Sequence, residues 1–239
     1  MNRVCVTVDM EHDCPPYLTT WHGAEQGTPQ LLALFAEEGI PATFFTTGEL
    51  ARRYPEIVQE IVAHGHELGG HGDQHRRFDR MSLDEARQEI AESTRTLRAF
   101  DPVTSFRAPN LRFPSNYLSL LTDAGYRLDS SQGRYSCRCA KISSAGELTR
   151  VPASVTSSVL RLPWVIRRRV YSCLTDPVVL FVHPWEFVDF RRTSLRLDCR
   201  FRTGTPALRC LREAIHFFRD HGAQFRRMCE LPAESVGFA

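Results

Sequence analysis

The sequence predicts an α/β protein built on a parallel sheet or barrel. Three observations carry this. Short β-type apolar runs alternate with helical patterns along the chain. Val178 to Val182 (VVLFV) is a continuous apolar run of strand length, as a strand buried on both faces requires. Polar or charged residues follow several of the strands directly, where the catalytic groups of α/β barrels collect.

The elements follow in order. Arg3 to Val8 reads as the first strand. Thr28 and Pro29 open a helix that Gly39 ends, and Pro41 to Thr46 is the second strand. A helix from Pro55 to His64 is closed by Gly65, and Glu67 to Gly70 is a short strand. Ser82 and Glu85 form a capping box for a helix running to about Phe100. Val103 to Phe106 reads as a strand, and Pro114 to Ala124 as a helix followed by Gly125. Arg134 to Ala153 shows no period and reads as loop. A last helix opens at Thr205 and Pro206 and ends near Gly222.

Composition sets outer limits. The 239 residues suit one large α/β domain or two small ones, and the lack of repeats or low-complexity linkers favours a single domain spanning 1–239. A hydrophobic share of 42%, a charged share of 24% and a net charge of +2 describe an ordinary globular chain with no call for nucleic acid as a partner. Nothing approaches the ~18–20 apolar residues of a membrane span, and Asp9 interrupts the first apolar run too early for a signal peptide. The expected location is therefore the cytoplasm, where the eight scattered cysteines would stay thiols. Cys137 and Cys139, a lone C-x-C, read as structurally neutral.

Five short patterns carry chemistry. His71-Gly-Asp-Gln-His75 spaces two imidazoles four residues apart, which on a helical turn would face one cation. Gly69 and Gly70 before it admit close backbone approach. Asp9-Met-Glu11 ends the first strand, and alternation puts both carboxylates on one face. One could bind a cation while the other takes a proton. Arg107, in Ser105-Phe-Arg107-Ala-Pro109, could fork onto a carboxylate. Asp129-Ser-Ser131 follows next. His183-Pro-Trp185 closes the apolar strand and places a histidine where a general acid could stand. Taken singly, each of the last three patterns is better explained as structure than as catalysis.

Their order, D-x-E, H-x3-H, R-x-P, D-S-S, H-P-W, changes that. With ATFF at Ala42 to Phe45 and GHELGGH at Gly65 to His71, the chain from Val4 to about Phe187 resembles the polysaccharide deacetylase family. The resemblance implies a distorted (β/α) barrel, TIM-like and typically of seven strands. It implies a hydrolase that removes an acetyl or formyl group from the nitrogen of an amino sugar. It further implies one divalent metal, often zinc, with cobalt, nickel or manganese as alternatives. His71 and His75 would be ligands, Asp9 the catalytic base, Arg107 its orienting partner, His183 the general acid and Asp129 the partner that tunes His183. Many members have two adjacent aspartates where this chain has Asp9 and Met10. Glu11 then fits as third ligand, with Asp13 as the alternative.

Around this centre, Asn110 is a candidate to face the oxyanion, and Trp185 and Trp21 are candidates to stack on a sugar. His12 and His22 could line the cleft; His64 and His66 read as structural, and His216 and His221 have no role. Val159 to Leu174, with Arg167, Arg168 and Arg169, could rest on the inner membrane face and meet a lipid- or nucleotide-linked substrate, though an ordinary amphipathic segment explains it as well. Two other readings stand against the hydrolase: a metal-independent amidase of the allantoinase type, and a non-catalytic carbohydrate-binding relative. The intact H-x3-H pair weighs against the first, and the retained Asp9, Arg107 and His183 against the second.

Overall fold

The computed structural model describes residues 3–134 and 142–231, so Cys137 and Cys139 lie outside the described residues. Parallel strands form one curled sheet: β1 (Arg3–Met10), β2 (Thr43–Thr46), β3 (Glu67–Gly70), β4 (Ser105–Phe106), β5 (Leu128–Asp129), β7 (Leu148–Arg150) and β8 (Val178–Val182). They run β7-β5-β4-β3-β2-β1-β8. These are the seven strands of the implied distorted barrel. A hairpin strand β6 (Ser143–Ala145) pairs antiparallel with β7. This hairpin stands where the sequence reads as loop, because two short strands around a glycine turn leave no detectable period. A ninth strand, β9 (Gln224–Phe225), pairs with the start of β1 before β2 joins it.

The sheet curls far enough for residues beyond β7 to meet β8. The Ser154 N–H donates to the Val179 carbonyl at 2.8 Å, and the Val179 N–H donates to the Ser154 hydroxyl at 2.9 Å. Among the described residues this seam is bridged by these bonds, with no strand ladder between β7 and β8.

Helices surround the sheet, with α6 and α8 reaching the cavity at its rim: α1 (Thr28–Glu38), α2 (Gly48–Arg53), α3 (Pro55–Ala63), α4 (Leu83–Leu97), α5 (Leu118–Asp123), α6 (Ser157–Leu160), α7 (Trp164–Ser172), α8 (Leu197–Arg200) and α9 (Thr205–Asp220). The Ser82–Glu85 capping box is formed at the start of α4. α1 closes on Gly39 at φ 61°, in the left-handed region that glycine enters without steric cost. The expected helix from Pro114 begins instead as a 3₁₀ turn over Ser115–Tyr117 and becomes α-helical only in α5.

Because helices cover the outside and side chains fill the inside, β1 and β8 are buried on both faces; β8 is apolar throughout, whereas β1 alternates Val4, Val6, Val8 and Met10 with Cys5, Thr7 and Asp9. The bottom of the barrel is plugged by Met228 and Leu231, packed on Cys5, Phe45, Leu128, Val151 and Val179. The plug is fastened by Thr43 and Glu67, which accept from the Met228 and Cys229 N–H groups at 2.9 and 3.0 Å. Among the described residues no helix is long and apolar enough to cross a membrane.

Candidate metal and catalytic site

The carboxyl ends of the parallel strands deliver the site. Asp9 sits near the end of β1 and Glu11 just past it; His71 follows β3, Arg107 follows β4 and His183 follows β8. Asp9, Glu11, His71 and His183 line one cavity of about 470 Å³.

His71, His75 and Glu11 converge. Their ligating atoms all lie within 4.8 Å of one another. A Glu11 carboxylate oxygen is 2.5 Å from Nε2 of His75 and 3.6 Å from Nε2 of His71. Neither Nε2 has an aligned hydrogen-bond partner although both are buried. Nδ1 of His71 donates to the Arg107 carbonyl at 2.7 Å, which leaves Nε2 with its lone pair facing inward. Burial would raise the Glu11 carboxyl. The imidazoles of His75, His183 and His71 override this and hold it well below the usual carboxylate range. Two orphaned imidazole nitrogens and an anionic oxygen aimed at one point fit a divalent cation, and this N₂O set suits zinc and its first-row neighbours.

The histidine pair does not sit on a helical turn. Residues 71–75 are irregular loop, with Gly72 at φ 74° and His75 at φ 55°. Asp13 stands apart from the ligand set: its oxygens accept from the Thr20 hydroxyl and the His22 and Gly23 N–H groups at 2.7–2.9 Å. Between the two acidic candidates for third ligand, Glu11 is the one that faces the imidazoles.

Asp9 receives a 2.7 Å bond from Nη1 of Arg107. Arg107 is completely buried, also donates to Thr7 and Ser130, and lies 4.3 Å above the Phe45 ring. Gly69 and Gly70 are needed for this crowding. A Cβ on Gly69 would fall 2.7 Å from the Phe45 ring, and one on Gly70 2.4 Å from the Tyr126 hydroxyl.

The expected partner of His183 is corrected. Asp129 is bound by Nε of Arg150 at 2.8 Å and by the Ser131 N–H at 3.0 Å. The carboxylate against His183 is Glu186, whose oxygen is 2.8 Å from Nδ1; Nε2 lies 3.7 Å from Glu11. Arg161 holds the other Glu186 oxygen at 2.8 Å in full burial. Burial would lower His183, but Glu11, Glu186 and Asp9 raise it to about 9. Sequence reasoning missed Glu186. Its signal is an acid three residues after the histidine, at the N3 position of the turn that begins there.

Trp185 lines the same cavity. Only 6% exposed, it stacks on His183 at 5.0 Å, and its indole N–H donates to Glu11 at 3.3 Å. It braces the site and contributes to the cavity wall with little of its surface open. Trp21 is likewise buried, against Tyr54 and His12. Asn110 is exposed at the cavity rim in a left-handed conformation, φ 58°. His12 lies edge-on to His75 at 5.5 Å, whereas His22 is half-exposed beside Glu25. Arg167 is buried and spent on Glu213 and two carbonyls, which takes it off the surface.

A curled parallel barrel whose strand ends bring two imidazoles and a carboxylate to one cavity, beside an arginine-held aspartate, defines a barrel protein with a metal-type site at its rim. Residues 7–128 match the family model described as polysaccharide deacetylase, half of the chain, and the chain belongs to that family. It is 31% identical over 101 residues to a chitooligosaccharide deacetylase of Sinorhizobium fredii, covering 41% of this chain and 47% of that one. It is 30% identical over 109 residues to a peptidoglycan deacetylase of Helicobacter pylori, covering 45% and 37%. The chain thus spans about half or less of the length of these curated relatives. Among solved structures, a family 4 carbohydrate esterase of Streptomyces lividans aligns with TM-score 0.62 at 16% identity, over 92% of this chain and 89% of that one. A family pseudoenzyme of Bacillus anthracis aligns with TM-score 0.66 at 16% identity, over 96% and 64%. At such identities the likeness establishes the fold alone.

Proposed function

We propose that the protein hydrolyses the N-acyl group, acetyl or formyl, of an amino sugar or glycoconjugate. The observation that carries this is the arrangement of Asp9 and His183 in one cavity with the Glu11–His71–His75 cluster. Glu11, His71 and His75 would hold one divalent cation, zinc in the simplest case. When bound, such an ion polarises an acyl carbonyl and lowers the pKa of water.

The chain's own groups divide the proton work. Asp9, held in orientation by Arg107, takes the proton from the attacking water. His183, held through Nδ1 by Glu186, gives a proton to the leaving amine nitrogen. Asn110, which lines the cavity rim, would face the developing oxyanion. Free amine and carboxylate leave. The three-ligand cluster counts against a metal-independent amidase, and the intact Asp9 and His183 count against a purely binding relative.

Asp9→Asn should abolish release of acetate or formate from a panel of N-acylated sugars while zinc content stays stoichiometric. Full activity in that variant defeats the base assignment.

The finer reading is a lipid- or nucleotide-linked substrate met in the cytoplasm at the inner membrane face. Its support is the exposed run Trp164, Val165 and Ile166 at the start of α7, with Arg168 and Arg169 exposed just after it. α6, close before α7 in the chain, contributes Ser157 and Ser158 to the cavity wall, which would place a membrane-held substrate near the reacting groups.

A further inference from the structure

The loop that delivers both histidines has an unfavourable conformation that something must hold. His75 has φ 55°, which costs an L-residue about 1–2 kcal/mol. Gly72 has φ 74°. No regular element spans 71–75, yet both imidazoles reach the same Glu11 oxygen.

Three groups outside the loop fix its backbone. One oxygen of Glu89, on α4, accepts from the Asp73 N–H at 3.0 Å and from the Gln74 N–H at 2.7 Å. The guanidinium of Arg52, on α2, forks onto the Asp73 carboxylate at 2.7 and 2.8 Å. The Gly48 and Glu49 N–H groups of α2 donate to the Gly72 and Asp73 carbonyls at 3.0 and 2.9 Å. The fit is tight: a Cβ on Gly48 would lie 2.1 Å from the Asp73 carboxylate. Glu89 is 6% exposed, and among the described residues its hydrogen bonds and ion pair go to residues 73–76: the two N–H groups and, at 3.8 Å, Arg76. A buried carboxylate is costly to keep unless its bonds are needed.

We infer that Glu89, seconded by the Arg52–Asp73 pair, is the positioning residue of the cation site, holding backbone 72–74 so that His71 and His75 aim at Glu11. The inference rests on the reading that Glu11, His71 and His75 hold a cation. Glu89 touches no ligand atom and acts through the backbone. Support of this kind behind metal ligands is typically worth ~10–100-fold in affinity.

The test is zinc affinity of the purified full chain by competition with a chromophoric chelator, alongside the thermal midpoint of the metal-free protein. Glu89→Ala should weaken zinc by ~10–100-fold. Glu89→Gln, whose amide oxygen still accepts both N–H groups, should recover most of that loss. Glu92→Ala, an exposed change on the same helix, should bind as wild type. Wild-type zinc affinity in Glu89→Ala, with only its midpoint lowered, overturns the inference and leaves Glu89 a folding staple. If Glu89→Ala does not fold, Arg52→Gln carries the test: several-fold weaker zinc supports the cradle, and unchanged affinity overturns it. Failure of the wild type itself to bind zinc would instead remove the cation reading, and this inference with it.

Discussion

Glu186→Gln isolates the charge that the structure sets against His183. The amide oxygen can still accept from the His183 Nδ1 and backbone N–H groups, which Glu186 meets at 2.8 and 3.0 Å. Only the anion is lost. In the native site His183 is raised from 6.5 to about 9, against burial, by Glu11, Glu186 and Asp9. That difference is worth roughly 3 kcal/mol between the two protonation states. A divalent cation on Glu11 would offset the Glu11 charge, leaving Glu186 the anion in direct contact with the ring. Removing it should move the alkaline limb of the kcat/KM profile down by about one to two pH units. At pH 8 the variant should then be ~2–10-fold slower, with most of the difference regained near pH 6. The sign carries through to stability. A raised histidine stabilises the fold fully below pH 6.5 and loses that contribution as pH rises through about 9. Arg161 would lose its carboxylate yet keep the Phe201 and Asp198 carbonyls, so the variant should cost about 1.5–3 kcal/mol by denaturant titration. A pH profile that superimposes on wild type would refute the argument. So would a uniform loss of rate with no displaced limb.

Two further outcomes are expected. His66 is held down to about 4 by burial and then by His64, and its Nδ1 accepts the Ala42 N–H. A lowered histidine contributes stability above pH 6.5 that is lost as pH falls toward 4, by up to about 3 kcal/mol. His66→Asn, which keeps an acceptor, should flatten the denaturation midpoint over that window, and a wild-type midpoint constant from pH 6.5 to 4 argues against the assignment. On liposomes containing anionic lipid, wild-type protein should float, and Trp164→Ser with Arg168→Glu and Arg169→Glu should not. Arg167 is left intact there because it is buried, and equal flotation of both proteins defeats the membrane reading.

How far the chain could be read from its letters depends on whether a contact is local or crosses the barrel. The continuous apolar run of β8 was legible because burial on both faces leaves a compositional trace, and β1 was legible from the valines at 4, 6 and 8. The placement of polar groups at strand ends was legible for a similar reason, since a parallel strand exposes its rim. His71 and His75 were legible as a pair, but not as a loop. A spacing of four residues suits a helical turn, and nothing in Gly-Asp-Gln announces that Gly72 and His75 take positive φ. Glu89, sixteen residues beyond Asp73 on a different element, was invisible for that reason.

The pairing of His183 shows the limit most clearly. Asp129 and His183 both stand at strand ends, and the family resemblance implies that they meet. In the sheet, however, β4, β3, β2 and β1 separate β5 from β8 along one direction, and β7 is the immediate neighbour of β5 on the other side. Asp129 is therefore satisfied by Arg150 of β7 before it can reach across, while Glu186 lies a single turn from His183. A buried carboxylate takes the nearest cation its register offers. Which carboxylate serves the histidine is thus decided by strand order and by how far the sheet closes, and neither quantity is written in any one motif.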